Sequence, residues 1–326
     1  MNSIKEISRP TTLQSSFMKD VKLGLTSFPK YLPSKYFYDE KGDELFRKIM
    51  ELPEYYLTRA EFEILKNYAG EIMGIMSKNE AFRLVELGAG DGMKTKVLLK
   101  FLLRAGYDFT YVPIDISKNA LDLLKEDIRD EFPSLHIETV QGEYLDALSR
   151  SLFKDDQSSF VLFLGSSIGN FSIDETEQFF NELYKTLKPG DYLLTGWDLQ
   201  KNPHIILDAY NDSKGVTRDF NLNLLRRINK DLEANFDLSN FSHYPVYDPE
   251  MGLAKSYLVA NSAATYRIED LEMTVDFEAG EAIFMEISRK YTLDDILNIA
   301  VISGFRHANY WQDKKSYFID TLWRRT

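Results

Sequence analysis

A glycine-rich turn and one acidic residue carry the clearest chemical signal in the sequence. The segment Glu86-Leu-Gly-Ala-Gly90 follows a short apolar run, and Asp115 ends the next one. A glycine turn lets a ligand approach the backbone closely, and a carboxylate at the end of the second strand can accept hydrogen bonds from both hydroxyls of a ribose. This spacing predicts that Gly88, Gly90 and Asp115 bind a ribose-containing ligand.

The same turn argues against a dinucleotide. The dinucleotide fingerprint needs a third glycine three residues after its second. Counting from Gly88 and Gly90, that position is occupied by Met93. The hypothesis of an NAD site therefore loses its main support.

Alternating strands and helices are needed to position these residues. The apolar and amphipathic runs predict strands at 83–87, 109–115, 136–140, 159–164 and 192–197, with helices at 94–104, 117–130 and 174–187. Five alternating units of this kind predict an α/β fold with a parallel, doubly wound sheet. Ligands of such sheets lie beyond the carboxyl ends of the strands, where the turn and the acid fall.

The alternation stops after residue 198 and returns near the end of the chain. Runs at 286–291, 293–303 and 317–323 predict a strand, a helix and a last strand. We therefore expect residues 62–198 and 287–326 to form the nucleotide-type domain. Residues 8–61 and 199–286 are expected to form a second domain that covers the ligand.

Further short motifs accompany the glycine turn. They are the acid at Glu143, followed by Tyr144, and the turn Leu187-Lys-Pro-Gly-Asp191. Together with the turn and Asp115 they resemble the class I S-adenosylmethionine-dependent methyltransferases, which have a Rossmann-like sheet. The resemblance implies that Gly88 faces the methionyl part of the cofactor, Asp115 its ribose and the Glu143-Tyr144 pair its adenine. Lys94 is a candidate partner for its carboxylate, although a solvated helix lysine is an equally common interpretation.

Longer strings lie outside these motifs. They are Tyr36-Phe-Tyr-Asp39, Leu52-Pro-Glu-Tyr-Tyr56, Thr58-Arg-Ala-Glu61, Phe163-Leu-Gly-Ser-Ser-Ile-Gly-Asn170, Thr274-Val-Asp-Phe-Glu-Ala-Gly-Glu281 and Glu286-Ile-Ser288. In this order, and across nearly the whole chain, they resemble the histidine Nα-methyltransferases of ergothioneine biosynthesis. The resemblance implies S-adenosylmethionine as cofactor, an inserted substrate-binding domain, and up to three methyl transfers to the α-amine of L-histidine, giving hercynine.

The family resemblance also implies which residues hold the amino acid. They are Tyr38, Tyr55, Gly165, Asn170, Tyr210, Glu286 and Ser288. Asn170 and Tyr210 would hold the main-chain end, with the two other tyrosines beside them, and Glu286 and Ser288 would receive the imidazole. A spacing of two on a strand puts the last two side chains on one face. Without the family strings, Asn170 is typical of a turn and Glu286 of a solvated strand. No residue is assigned as a general acid or base.

Two departures from the family pattern leave the substrate open. Ser256 stands where relatives carry a methionine beside the substrate ring, and Glu143-Tyr144 stands where Asp-Phe is more usual. The first change alters the volume expected beside the ring. Another aromatic amino acid is therefore an alternative substrate.

Two other classes of function compete with this hypothesis. Gly165-Ser-Ser-Ile-Gly169 matches the nucleophile elbow of serine hydrolases, with Ser167 as nucleophile and His204, His243 or His307 downstream. An elbow needs a helix directly after the serine, whereas Ser172-Ile-Asp-Glu175 is a capping box that starts the helix later. The second alternative is a methyltransferase-like domain that binds its ligands without catalysis.

Composition limits the remaining possibilities. The 326 residues include 39 basic and 51 acidic ones, for a net charge of −12, and no cysteine. The charge disfavours nucleic acid, and the lack of cysteine excludes disulfides and thiolate metal sites. The four histidines show no metal-ligand spacing, so we expect no metal.

No apolar run approaches the length of a membrane span, and residues 1–13 lack the apolar core of a secretory signal. We therefore expect a soluble cytoplasmic protein whose partner is a small-molecule amino acid. The sequence leaves the oligomeric state open, and a monomer is compatible with it.

Overall fold

The computed structural model describes residues 12–151 and 157–326. Residues 8–11, the expected start of the second domain, lie outside the described residues. In the described ranges no helix is both long and apolar enough to cross a bilayer.

The chain divides into two compact units. The first consists of Met1–Lys48, Tyr210–Val246 and Lys255–Glu286, and the second of Ile49–Ala209, Tyr247–Ala254 and Ile287–Thr326. The second unit therefore begins before the expected residue 62 and continues past the expected residue 198. It also includes the short segment 247–254, which has no counterpart in the domain boundaries predicted from the sequence.

The elements are named in chain order. The helices are α1 (Thr12–Thr26), α2 (Glu40–Met50), α3 (Tyr56–Met73), α4 (Thr95–Ala105), α5 (Lys118–Glu131), α6 (Tyr144–Ser151), α7 (Ile173–Thr186), α8 (Pro203–Tyr210), α9 (Val216–Asp231) and α10 (Leu293–Ile302). The strands are β1 (Lys30–Tyr31), β2 (Phe82–Leu87), β3 (Phe109–Asp115), β4 (His136–Ile137), β5 (Val140–Gln141), β6 (Ser158–Phe163), β7 (Tyr192–Asp198), β8 (Phe241–Asp248), β9 (Leu253–Ala260), β10 (Ala264–Ile268), β11 (Met273–Phe277), β12 (Ala282–Arg289), β13 (Arg306–Gln312) and β14 (Phe318–Arg324).

The second unit is built on one large sheet. Its strand order is β13-β14-β7-β6-β2-β3-β4, with β5 also paired to β3. Strands β2 to β7 of this sheet are parallel, and the order reverses at β2, which places the switch point of the fold beside the glycine turn. The predicted doubly wound sheet is therefore confirmed.

One strand of the sheet was missed, and two details of the predicted strands were wrong. The missed strand, β13, pairs antiparallel with the last strand, β14, which is also antiparallel to β7; the direction of the last strand had not been predicted. The run at 136–140 forms two short strands instead of one. The run at 286–291 continues β12, which belongs to a separate sheet of order β1-β12-β9-β8.

Local sequence signals explain where the helices of the second unit begin and end. Ser117 caps α5 by accepting from the Ala120 N–H, and Gly106 ends α4 in the left-handed conformation that glycine adopts at low cost. Helix α7 begins with the capping box formed by Ser172 and Glu175, as predicted.

One hydrophobic cluster holds the sheet against α6, α7 and α10. Val85, Val112 and Val161 of the central parallel strands belong to it. The Phe180 ring of α7 stacks on Trp197 with ring centroids 5.7 Å apart and lies 5.0 Å from the Trp323 ring. All three of these aromatic side chains are fully buried. The carboxyl ends of the strands are thus fixed by close packing behind them.

The first unit contains a small β-hairpin and an aromatic cluster. Strands β10 and β11 pair antiparallel along five residues. The rings of Phe236, Phe241, Tyr266 and Phe277 pack together beside this hairpin. Strands β8, β9 and β12 lie mainly in this unit and continue into segments of the second unit.

We predict that Phe180→Ala lowers the free energy of unfolding by about 3–5 kcal/mol, because a fully buried aromatic side chain is removed from between two tryptophans. Urea denaturation followed by tryptophan fluorescence measures the change. Ile173→Ala on the same helix is the control, since Ile173 is 53% exposed and its loss should change stability by less than about 0.5 kcal/mol. Equal effects of the two substitutions would contradict this account of the core.

Candidate active site

The glycine turn after β2 and the end of β3 meet at the switch point of the sheet. Gly88 and Gly90 have φ angles of 73° and 54°, which glycine adopts without strain. The Asp115 carboxylate accepts hydrogen bonds from the Gly90 N–H at 3.0 Å and from the Ser117 N–H at 2.9 Å. Burial raises the pKa of this carboxyl, while the two N–H groups oppose that shift. The structure thus brings these predicted residues together.

The space around the turn suits a nucleoside. A Cβ added to Gly90 would meet no atom within 4 Å, so the loop borders open space. A Cβ added to Gly88 would lie 3.0 Å from the hydroxyl of Tyr144, which places the Tyr144 side chain against the turn. Burial raises the pKa of Tyr144, which keeps its hydroxyl neutral. Glu143 is exposed beside it. These residues offer a carboxylate, an aromatic ring and a stretch of backbone without side chains, and a bound nucleoside can use all three.

Glu86, at the end of β2, is buried directly below the turn. Its two oxygens accept hydrogen bonds from the Thr95 and Tyr111 hydroxyls. Burial raises the pKa of Glu86 to about 7, although both hydroxyls oppose the shift. The carboxyl therefore links the start of α4 to β3 and titrates near neutral pH.

Lys94 forms a contact that the sequence did not reveal. Its ammonium pairs with the fully buried carboxylate of Glu61, on α3. The same carboxylate accepts the Gly165 N–H at 2.8 and 2.9 Å. Glu61 thus joins two predicted site residues, one for the cofactor and one for the substrate. Glu61 lies in the string Thr58-Arg-Ala-Glu61, which resembles the family but by itself indicates no contact for Glu61.

A second buried acid, Asp320 of β14, faces the same place. Burial and the neighbouring Glu61 raise the pKa of Asp320 well above its ordinary value. Neither of its oxygens has a hydrogen-bond partner in the part of the chain that the structure describes. A Cβ added to Gly196 of β7 would lie 2.0 Å from the Glu61 carboxylate and 3.1 Å from that of Asp320. Gly196 therefore leaves the space that Glu61 fills.

Four of the predicted substrate residues belong to the second unit. Tyr55 precedes α3, Gly165 follows β6, Asn170 ends a 3₁₀ turn at Ser167–Asn170, and Ser288 lies on β12. A Cβ added to Gly169 would lie 3.4 Å from the Ser288 hydroxyl. The Ser288 side chain is thus beside the turn that carries Asn170.

The other three predicted substrate residues, Tyr38, Tyr210 and Glu286, belong to the first unit. The Tyr38 ring packs edge-on against the rings of Phe46 and Phe220 at 5.6 and 5.7 Å. Glu286 is half-buried on β12, two residues before Ser288. Ser256, the residue that departs from the family pattern, is buried on β9.

A buried ionic cluster at the end of β7, which we call the Asp198 cluster, was not expected from the sequence. It consists of Asp198, Tyr56, Lys201, Lys290 and Ser288. The Asp198 carboxylate accepts from the Tyr56 hydroxyl at 2.8 and 2.9 Å, pairs with the Lys290 ammonium at 2.8 Å, and contacts the Lys201 ammonium. Burial lowers the pKa of Lys201 to about 8. An aspartate that closes a strand and is followed by lysine was the available signal.

The structure does not form a nucleophile elbow at Ser167. The strained φ angle of 55° falls on Ser166 instead. The Ser167 hydroxyl donates to the Leu164 carbonyl at 3.1 Å, within the same turn. Helix α7 begins only at Ile173, after its capping box. Both the turn and the serine's hydrogen bond differ from those of a serine hydrolase.

The chain has recognisable relatives. Residues 17–325 match the family described as "Histidine-specific methyltransferase, SAM-dependent". The chain is 36% identical over 300 residues to the histidine N-alpha-methyltransferase of Mycolicibacterium smegmatis and 37% identical over 300 residues to that of Mycobacterium tuberculosis, covering 92% of both chains in each comparison. It is 30% identical over 267 residues to ergothioneine biosynthesis protein 1 of Schizosaccharomyces pombe, covering 79% of this chain and 34% of that protein.

We predict that Glu86 makes stability fall as pH rises from about 5 to 8. Its pKa is about 7 in the folded protein and ordinarily 4.5. Between these pH values the folded state keeps a proton that the unfolded state has lost, so the free energy of unfolding falls as the pH rises. A shift of this size corresponds to at most about 3 kcal/mol. Urea denaturation at several pH values should show a smaller decline for Glu86→Gln. The prediction fails if both proteins lose the same stability over this range.

Proposed function

The chain belongs to the histidine-specific, S-adenosylmethionine-dependent methyltransferases, and on that premise we propose that it methylates the α-amine of L-histidine. The observation that carries the proposal is the family match over residues 17–325. The cradle at Gly90 and Asp115 supports it. We place this reaction in ergothioneine biosynthesis, since relatives named for that activity or pathway match most of the chain.

S-adenosylmethionine is the cofactor, and its sulfonium supplies an electrophilic methyl group. We propose that Asp115 accepts hydrogen bonds from the ribose hydroxyls and that Glu143 and Tyr144 bound the adenine. Gly88 and Gly90 admit the nucleoside because they carry no side chain there. Lys94 is proposed to bind the carboxylate end. Its present pairing with Glu61 keeps its ammonium next to Gly165, at the carboxyl edge of the sheet.

For the amino acid, we propose that Asn170 and Tyr210 hold the main-chain end and that Glu286 and Ser288 receive the ring. An amide side chain both donates and accepts, as a zwitterion requires. A half-buried carboxylate that accepts a ring N–H disfavours side chains without that donor. The position of the Ser288 hydroxyl beside Gly169 supports a ring-binding place close to Asn170.

The chain's own part in the reaction is proposed to be orientation. The amine must reach the methyl group in line and as the neutral base, so fixing its position is the main contribution to rate. The Tyr38 and Tyr55 rings are proposed to lie beside the amine. Aromatic faces stabilise a methylammonium by about 1 kcal/mol or more when water is excluded, which favours repeated transfer up to three methyl groups.

A second candidate substrate is another aromatic amino acid. Ser256 supports it, because this buried position carries a small side chain where the family resemblance implies a methionine. We further propose that the protein works in the cytoplasm and does not bind nucleic acid. The absence of cysteine and the net charge of −12 support these two proposals.

We predict that the purified protein, incubated with S-adenosylmethionine and each common amino acid separately, adds one, two and then three methyl groups to histidine. Mass spectrometry of the products measures this directly. Asp115→Asn is the control and should lose most of the activity, because an amide accepts fewer hydrogen bonds than a carboxylate. No mass gain with histidine, or a faster gain with another amino acid, would overturn the assigned substrate.

We predict that Asn170→Ala raises the KM for histidine at least about tenfold, since contacts to the charged main-chain end are lost. Cofactor affinity, measured by calorimetry, should stay within about twofold. Asn119→Ala, on the exposed side of α5, is the matched control and should change neither quantity. An equal loss of cofactor affinity in Asn170→Ala would count against its place beside the substrate.

A further inference from the structure

The buried carboxylate of Glu61 holds two groups at the carboxyl edge of the large sheet. Its side chain is fully buried on α3, whereas that of Lys94, its ion-pair partner before α4, is 18% exposed. Both oxygens of Glu61 also accept the Gly165 N–H, at 2.8 and 2.9 Å. All three residues belong to the second unit. Of the ion pair, the lysine is therefore the member that a ligand can still reach.

The Lys94 ammonium lies against the backbone of Gly165. A Cβ added to Gly165 would be 3.1 Å from Lys94 Nζ, so the ammonium occupies space that a side chain at position 165 would take. An ammonium has three protons to donate. One of them goes to Glu61, and no other side chain pairs with Lys94 in the part of the chain that the structure describes. The ammonium can therefore also donate to a ligand.

Glu61 is itself held by the helix that carries it. Helix α3 packs against α4 and β14. Near the start of α3 the Arg59 guanidinium donates to the Leu52 carbonyl at 2.7 Å, and near its end the Glu71 carboxylate accepts the Trp311 Nε1–H at 3.0 Å. The partner of Lys94 is thus fixed on a helix that is anchored at both ends.

A lysine without such a partner is a poor receptor for one particular carboxylate. Its stem is flexible, and its charge has no preferred direction. An ammonium that is largely buried without a counter-charge also loses its proton more easily. Glu61 opposes both effects, because it pairs with the Lys94 ammonium from the buried side and restricts the stem. A ligand then does not have to order the lysine when it binds.

The charge of Glu61 also acts in the opposite direction. A carboxylate that binds to Lys94 comes near the Glu61 carboxylate and is repelled by it. If this repulsion were the larger effect, removal of the Glu61 charge would strengthen the binding of a carboxylate. If positioning is the larger effect, the same removal weakens it. An ammonium between two carboxylates is closer to each of them than they are to each other, so we expect positioning to dominate.

We propose that Glu61 is a positioning residue that holds Lys94 for the carboxylate of the cofactor and thereby selects sulfonium nucleosides that carry this carboxylate. The inference rests on the proposed function, in which Lys94 binds that group. Glu61 acts through Lys94 and not by contact with the ligand. Its loss should therefore weaken the binding of ligands that carry the carboxylate more than the binding of ligands that lack it.

The test compares S-adenosylhomocysteine with S-adenosyl-3-thiopropylamine, which is the same molecule without its carboxylate. Calorimetry on the full-length protein gives the ratio of the two dissociation constants. The wild-type protein should bind S-adenosylhomocysteine at least about tenfold more tightly. In Glu61→Gln the amide oxygen can still accept the Gly165 N–H, but the Lys94 ammonium loses its anionic partner. The ratio should therefore fall several-fold towards one.

Two further variants separate positioning from a general loss of structure. Lys94→Met should bring the ratio close to one, and adding Glu61→Gln to it should not change the ratio further, because the acid acts through the lysine. Glu71→Gln is the matched control, since it makes the same substitution at an exposed residue of the same helix. Its amide oxygen can still accept the Trp311 N–H, so the ratio should stay at the wild-type value.

If Glu61→Gln does not fold, Gly165→Ala decides the question, because the added Cβ displaces the Lys94 ammonium and should lower the same ratio. An unchanged or larger ratio in the folded variant overturns the inference, even if both ligands bind more weakly. A wild-type ratio in Lys94→Met overturns the proposed role of Lys94 and this inference with it. Loss of the ratio in Lys94→Met but not in Glu61→Gln overturns the inference alone, so the two failures are distinguishable.

Discussion

A carboxylate buried inside a protein must find a partner there or keep a proton, and this constraint organises the carboxyl edge of the large sheet. Glu86 is held by two hydroxyls, Glu61 by an ammonium and a backbone N–H, and Asp198 by two lysines and a tyrosine. The Asp320 carboxyl has no hydrogen-bond partner among the residues that the structure describes, and burial raises its pKa. The site residues are positioned largely by these pairings.

The parallel half of the sheet could be predicted from the sequence because its strands are apolar runs bounded by turns. β2, β3, β6 and β7 were placed to within one residue at each end. β13 was missed because most of its side chains are exposed and it lacks an apolar run. β12 was assigned to the wrong sheet, since an apolar pattern identifies a strand but not its neighbours.

The contacts of the site also fall into those that could be predicted from the sequence and those that could not. Asp115 and Gly90 are 25 residues apart, yet their contact follows from the general rule that parallel strands end at one edge of the sheet. No such rule predicts the partners of Glu61 and Lys290, because these partners depend on how α3 and the end of β12 pack in space. The family strings contained Glu61 but gave no reason for its place, and Lys290 lies outside them. Burial of charge, visible only in the structure, reveals both.

The absence of a side chain at Gly196 ties two distant parts of the sequence together. Any other residue there would collide with the Glu61 carboxylate, and a shorter residue at position 61 would leave a void and release both Lys94 and the Gly165 N–H. A substitution at position 61 or 196 alone would therefore disturb the packing of the residue at the other position. Across evolution, positions 61 and 196 should therefore covary, and a lineage that replaces one of them should carry a compensating replacement at its counterpart.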